Sequence, residues 1–187
     1  MKLIKVLLSE GKYGNKAYDE LVRKMKDEGG EVVGSGDNGV VFDAGNEGWL
    51  YKVTSDEFEM EDAHKAEDKK FTYLANILDV YTHPSKQAGY YAVENLISAP
   101  QEVHKALGSG ENLYDIGEYI IGGDEENLAN TPKEVQAAGK IFKLHDFFKG
   151  VRKELLSVSI DPDNVDLLGG EHNIMMTKSG NLKLIDY

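Results

Sequence analysis

Between Glu31 and Thr54 the chain alternates short β-type runs with glycine-marked turns, and this stretch limits the possible folds more than any other. Glu31-Val-Val-Gly-Ser-Gly-Asp-Asn-Gly-Val-Val-Phe42 is two β-branched runs around a glycine-rich turn. Asp43 to Gly48 is a second turn, and Trp49-Leu-Tyr-Lys-Val-Thr54 is a third run. Parallel neighbours would need a crossover of about a dozen residues. Three antiparallel strands in succession is therefore the simplest arrangement. Two further runs, Ile77–Tyr81 and Gly89–Glu94, flank the loop His83–Ala88 and read as strands four and five.

Helical spacing fills the gaps. Tyr18, Leu21, Val22 and Met25 fall on one face of a helix over residues 15–28, which Gly29-Gly30 stops. Thr54-Ser55-Asp56-Glu57 has the pattern of a helix N-terminus, with acidic groups where the helix dipole favours them. A helix over 56–75 is expected, with Met60, Ala63, Phe71 and Leu74 as its apolar stripe. Thr131-Pro132-Lys133-Glu134 looks like a second start, with Pro at the first helical position. The spacing of Val135, Ala138, Ile141, Phe142, His145, Phe148, Leu155 and Leu156 predicts one long helix over 132–157. Asn173–Thr177 and Leu182–Asp186 around a Lys-Ser-Gly-Asn turn predict a β-hairpin. No repeat or low-complexity linker interrupts the chain.

The 187 residues carry 21 Lys and Arg against 33 Asp and Glu, a formal charge of −12. That balance argues against a nucleic-acid partner, which needs a surplus of basic groups on one face. The absence of Cys removes disulfides, thiolate metal sites and cysteine nucleophiles. The apolar stretch Met1–Leu8 is too short to span a bilayer, and no small-residue cleavage pattern follows it. A cytoplasmic protein without membrane contact is expected. The five His residues show no metal-type spacing.

Three constellations point to chemistry. Gly34-Ser35-Gly36-Asp-Asn-Gly39-Val-Val41 matches G-x-G-x-x-G-x-V, whose glycines let the backbone approach phosphates. A plain glycine-rich hairpin would carry the same glycines. A dinucleotide-binding fold would put a helix directly after them, whereas here strands flank the turn on both sides. Lys52, at the centre of the third strand, is either a solvent-facing lysine or a cation that neutralises phosphates and pairs with a helix Glu. Glu67 falls on the apolar stripe of the expected helix, a costly place without a partner, and is the candidate for that role. Asn173 and Asp186, at the two ends of the expected hairpin, are two hard oxygen ligands suited to Mg²⁺; singly, each could be a turn former.

Taken in order, these motifs resemble the protein-kinase superfamily, and most of all the compact early-gene serine/threonine kinases of short-tailed bacteriophages. The resemblance covers about residues 31–187 and includes Tyr-Lys-Val around Lys52, Tyr-Ala-Val-Glu-Asn-Leu at 91–96, and His-Asn-Ile-Met-Met…Leu-Ile-Asp-Tyr at 172–187. It implies an α+β, kinase-like fold: an N-terminal element over 1–30, a five-stranded antiparallel lobe with one helix over 31–95, and a reduced helical lobe with a terminal hairpin over 96–187. It implies that Gly34, Ser35, Gly36, Gly39, Val41 and Lys52 contact ATP, the loop and Lys52 at its phosphates, with Glu94 to Leu96 at adenine and Asn173 and Asp186 on Mg²⁺. Asp166 would be the catalytic base, standing seven residues before Asn173 where the family pattern has five and this chain has Leu168. The resembling segment stops at Tyr187, short of the stretch that binds protein substrates in that family. Two functions follow: an ATP-dependent phosphotransferase acting on a host protein, or a pseudokinase that engages a host protein without catalysis.

Overall fold

The computed structural model describes residues 15–36, 38–108, 110–129, 131–165 and 173–185. They form an α+β protein divided into two compact units. The first takes the described chain up to Glu67 together with Ile77–Glu94; the second takes Asp68–Asn76 and the described chain from Asn95 onward.

In the first unit helix α1 (Lys16–Asp27) begins at Asn15, whose side-chain oxygen accepts the Tyr18 N–H at 3.1 Å. The Asn15 amide also donates to the Gln87 carbonyl at 2.7 Å. Strands β1 (Glu31–Ser35), β2 (Gly39–Asp43), β3 (Trp49–Thr54), β4 (Ile77–Thr82) and β5 (Gly89–Glu94) make one antiparallel sheet in the order β1-β2-β3-β5-β4. Ala17, Tyr18, Leu21 and Met25 of α1 pack with Val40, Phe42 and Val53 of the sheet. Burying a Leu or Met in such a core stabilises by about 1.5–3 kcal/mol. The same burial pushes the Tyr18 phenol above its ordinary pKa, and the neighbouring Asp19 charge adds to the effect. At the rim, the Lys24 ammonium lies 5.9 and 5.5 Å from the ring centres of Tyr81 and Tyr90. The residues preceding β1 thus include a helix that belongs to the sheet's core.

Helix α2 (Glu57–Ala66) is half the expected length. It stops because Glu67 is extended (φ −53°, ψ 133°) and Asp68 is left-handed (φ 60°). Phe71 and Leu74, which looked like a continuation of its stripe, lie in the second unit.

There, β6 (Ile97–Ser98), α3 (Gln101–Leu107), α4 (Gly110–Gly122), β7 (Glu134–Ala137), β8 (Lys140–Lys143), α5 (Leu144–Ser157), β9 (Ile174–Met176) and β10 (Leu182–Leu184) follow in order. Short 3₁₀ turns occupy Glu125–Leu128 and Pro162–Asn164. The terminal hairpin forms as expected and extends to a sheet of order β10-β9-β6. The long helix over 132–157 does not form. Nearly its first half holds the hairpin β7–β8, turned at Ala138 (φ 49°) and Gly139 (φ 75°), and only Leu144–Ser157 is helical. The Thr131 hydroxyl lies 2.9 Å from the Leu128 carbonyl and 3.0 Å from His145 Nε2, contacts that turn it away from a capping role.

Residues 71–74 are held by two charged side chains of the same unit. Glu154 of α5 accepts the Thr72 N–H through one oxygen at 2.8 Å, and the Tyr73 and Leu74 N–H groups through the other, both at 2.9 Å. Lys183 of β10, only 4% exposed, donates to the Phe71 and Leu74 carbonyls at 2.9 and 3.1 Å. This clamp binds Asp68–Asn76 to the second unit, so a lobe running continuously over 31–95 is not what forms. Among the described residues no helix is long and apolar enough to cross a membrane.

Candidate functional site

Strand alternation sends neighbouring residues to opposite sheet faces. Val53 faces the α1 core, and the residues next to it, Lys52 and Thr54, face the other way. Lys52 stands between Val41 on β2 and Tyr91 on β5. Helix α2 packs near this part of the sheet: its Met60 comes so close to β5 that a Cβ on Gly89 would lie 2.5 Å from the Met60 methyl.

The carboxylate that α2 brings to Lys52 is Glu59. Lys52 Nζ lies 2.7 Å from Glu59 Oε1, and each side chain is 17% exposed. The Tyr91 hydroxyl donates to the same oxygen at 2.5 Å, and the Thr54 hydroxyl donates to Oε2 at 2.8 Å. A charge pair withdrawn this far from water is tolerated when both groups are hydrogen-bonded, and Glu59 has both oxygens engaged. The helix partner expected from the sequence, Glu67, does something else. It is the residue at which α2 ends, its Oε1 accepts the Val80 N–H at 2.9 Å, and its Oε2 is 3.8 Å from His64 Nδ1. Val80 follows the left-handed Asp79 (φ 51°) where the β4–β5 register shifts, so Glu67 satisfies an N–H at an irregularity of the sheet edge.

A local reason makes Glu59 available to Lys52. Asp56 caps α2 by accepting the Phe58 and Glu59 N–H groups at 3.0 and 3.3 Å. In a capping box the Glu three residues on would reach back to the cap's own N–H. Here the Thr54 hydroxyl oxygen accepts that N–H at 3.1 Å, and Glu59 turns to the sheet. The Asp56-x-x-Glu59 spacing by itself directs Glu59 to the cap's own N–H, so the sequence does not mark it as the partner of Lys52. Nothing in the sequence marks Tyr91 or Thr54, because their roles depend on the pairing of β3 with β5.

The glycine-rich turn joins this network. The Gly36 N–H donates to the Gly39 carbonyl at 2.9 Å. The Asn38 carbonyl accepts from the Ser55 N–H at 3.0 Å, and the Asn38 amide donates to Asp56 Oδ2 at 3.1 Å. The three glycines are not equivalent. A Cβ on Gly39 would stand 2.8 Å from the Val53 carbonyl, so the hairpin itself demands glycine there. A Cβ on Gly36 would meet nothing within 4 Å, and one on Gly34 only the Val41 side chain at 3.7 Å. Packing within the protein does not require those two.

The other expected residues fall as follows. Ser35 ends β1, Val41 lies in β2, and Glu94 closes β5 opposite Trp49. Leu96 is buried just beyond. Asn173 opens the terminal hairpin, its carbonyl accepting the Ile185 N–H at 2.8 Å. Asp166 and Asp186 lie outside the described residues. Among the described residues no three His, Asp or Glu side chains gather as a metal cluster would need. Two grooves of the first unit, of about 210 and 520 Å³, lie beside His64 and Thr82 and beside Lys24 and Tyr81; neither is lined by Lys52 or the glycine-rich turn. Compared with protein-family models and with curated proteins, the chain finds no match.

Proposed function

We propose that this protein binds ATP through the glycine-rich turn and Lys52, as a kinase-type phosphotransferase acting on serine or threonine hydroxyls of a protein substrate. The observation that carries the reading is the Lys52–Glu59 pair, held by Tyr91 and Thr54 on the strand that pairs with the glycine-rich hairpin and on its neighbour. A nucleotide meets a chain of formal charge −12, so its phosphates need local compensation. The Lys52 ammonium supplies a cation, and the backbone at Gly34 and Gly36 leaves space for a phosphate to approach without meeting a side chain.

The rest of the reading comes from the resemblance. It assigns the adenine edge to the backbone of Glu94–Leu96, Mg²⁺ to Asn173 and Asp186, and the proton of the acceptor hydroxyl to Asp166. Bound Mg²⁺ would offset charge on the phosphate oxygens. Asp166 would orient the hydroxyl and take its proton as the oxygen bonds to phosphorus and the bond to the departing diphosphate breaks. A host protein in the cytoplasm is the partner this reading supplies.

Calorimetric titration of ATP with Mg²⁺ into wild type and Lys52→Met tests it. Binding lost in the variant supports the phosphate site, and incorporation of labelled phosphate into a protein acceptor supports transfer. Binding without transfer in any substrate screen replaces the enzyme by the pseudokinase reading. Wild type that does not bind ATP rejects both in their nucleotide-dependent form.

A further inference from the structure

Strand β1 ends the five-stranded sheet on one side, and no described strand pairs with its outer edge. Such an edge presents a row of backbone N–H and C=O groups to whatever approaches it. The opposite edge, β4, is interrupted: Asp79 is left-handed, the register against β5 shifts between Leu78 and Tyr81, and the Val80 N–H goes to Glu67. β1 also shifts register, between Val32 and Gly34, but among the described residues no side chain is drawn onto its outer N–H groups. Val32 and Val33 are 36% and 55% exposed, so two β-branched side chains lie open along this edge.

The charge here suits a cation. Glu31 stands directly opposite Asp43 across β1 and β2, and both are exposed. Like charges in that position oppose strand pairing. Asp43 accepts the Gly45 N–H at 2.8 Å, and among the described residues neither carboxylate meets a cation.

We infer that the β1 edge takes an extended segment of a partner protein as a further strand, one with alternating β-branched residues and a Lys or Arg at the end that meets Glu31 and Asp43. Backbone hydrogen bonds supply the affinity of such a strand, and its side chains the register. A basic partner is also the one that a chain of formal charge −12 attracts. A second copy of this chain would bring the same carboxylates and the same net charge to the edge. The inference stands apart from the role proposed for Lys52 and needs no nucleotide.

The probes are two acetylated and amidated peptides, Lys-Val-Thr-Val-Thr-Val-Lys and the same peptide with Glu in place of each Lys, titrated into the full chain. Amide NMR shifts give the affinity, and hydrogen exchange gives the place. The lysine peptide is expected to bind at millimolar concentration and to slow exchange within Glu31–Ser35. It should bind about threefold or more tightly than the glutamate peptide. Glu31→Lys should abolish or reverse that preference, and its melting temperature should not fall, because it relieves the like-charge pair. Val33→Lys, at an exposed position, should weaken the lysine peptide with little change in melting temperature. Absence of protection at β1 with either peptide overturns the inference. Equal affinity for the two peptides, or a preference that survives Glu31→Lys, does so as well. Protection of the same amides that grows with protein concentration when no peptide is present assigns the edge to a second copy and overturns the choice of partner.

Discussion

Replacing Glu154 should loosen the second unit by an amount that its geometry sets. Its carboxylate receives three backbone N–H groups, from Thr72, Tyr73 and Leu74, at 2.8–2.9 Å. Thr72 is exposed, and its N–H can turn to water after a truncation. Tyr73 is half-buried and Leu74 fully buried, and their N–H groups would lose their acceptor in place. A buried donor left without a partner costs about 1–3 kcal/mol, so two of them put the cost of Glu154→Ala at about 2–6 kcal/mol. Whole domains are stable by only about 5–15 kcal/mol, which makes this a large fraction. Glu154→Gln keeps one acceptor oxygen and turns an NH₂ donor toward the N–H groups, so its cost should fall between wild type and Ala. Urea unfolding followed by circular dichroism measures the loss, and hydrogen exchange at the Tyr73 and Leu74 amides locates it. A loss below about 1 kcal/mol for Glu154→Ala, with both amides still protected, would refute the accounting.

Gly39→Ala should destabilise by about 1–3 kcal/mol, because the new methyl meets the Val53 carbonyl at 2.8 Å. Gly36→Ala should stay within about 0.5 kcal/mol of wild type while weakening ATP binding; equal melting temperatures for the pair would refute the distinction. Gly150→Ala sets two effects against each other: a gain of about 1 kcal/mol in helix propensity and a Cβ that would run into the Tyr73 ring. The clash should win, since that ring also packs edge-on against Phe147 at 6.1 Å, and a raised melting temperature would show the opposite. The raised Tyr18 pKa gives a stabilising contribution that is complete below the ordinary phenol value of about 10. It is lost as pH climbs through the higher folded-state value, because the unfolded chain releases its proton first. Stability curves of wild type and Tyr18→Phe should therefore run parallel below that pH and diverge above it, with wild type falling faster.

What the sequence determined by itself is local. The glycine turns and β-branched runs between Glu31 and Thr54 set three antiparallel strands, because turns that short leave no other pairing. Asn15 and Asp56 begin their helices where side-chain oxygens can reach the first free N–H groups. The Lys-Ser-Gly-Asn turn makes the terminal hairpin, with Gly180 in a positive-φ conformation (φ 86°). Lys52 was legible as a candidate because it interrupts an apolar strand. Tertiary structure decided what depends on distant partners. Met60, Ala63, Phe71 and Leu74 keep one helical spacing, yet the helix ends at Ala66 because Glu154 and Lys183, at least 80 positions further on, hold residues 71–74 in the second unit. Thr131-Pro132-Lys133-Glu134 carries the residues of a helix start, but the Thr131 hydroxyl is engaged with Leu128 and His145 and the next residues pair as a hairpin. The choice between Glu59 and Glu67 is of the same kind. The spacing puts Glu67 on the apolar stripe and leaves Glu59 next to Met60 unmarked, and only the point where α2 ends and its packing against β3 and β5 settle which one meets Lys52. A sequence displays the spacing of its residues along one element; which of two carboxylates faces a cation depends on where a second element is packed.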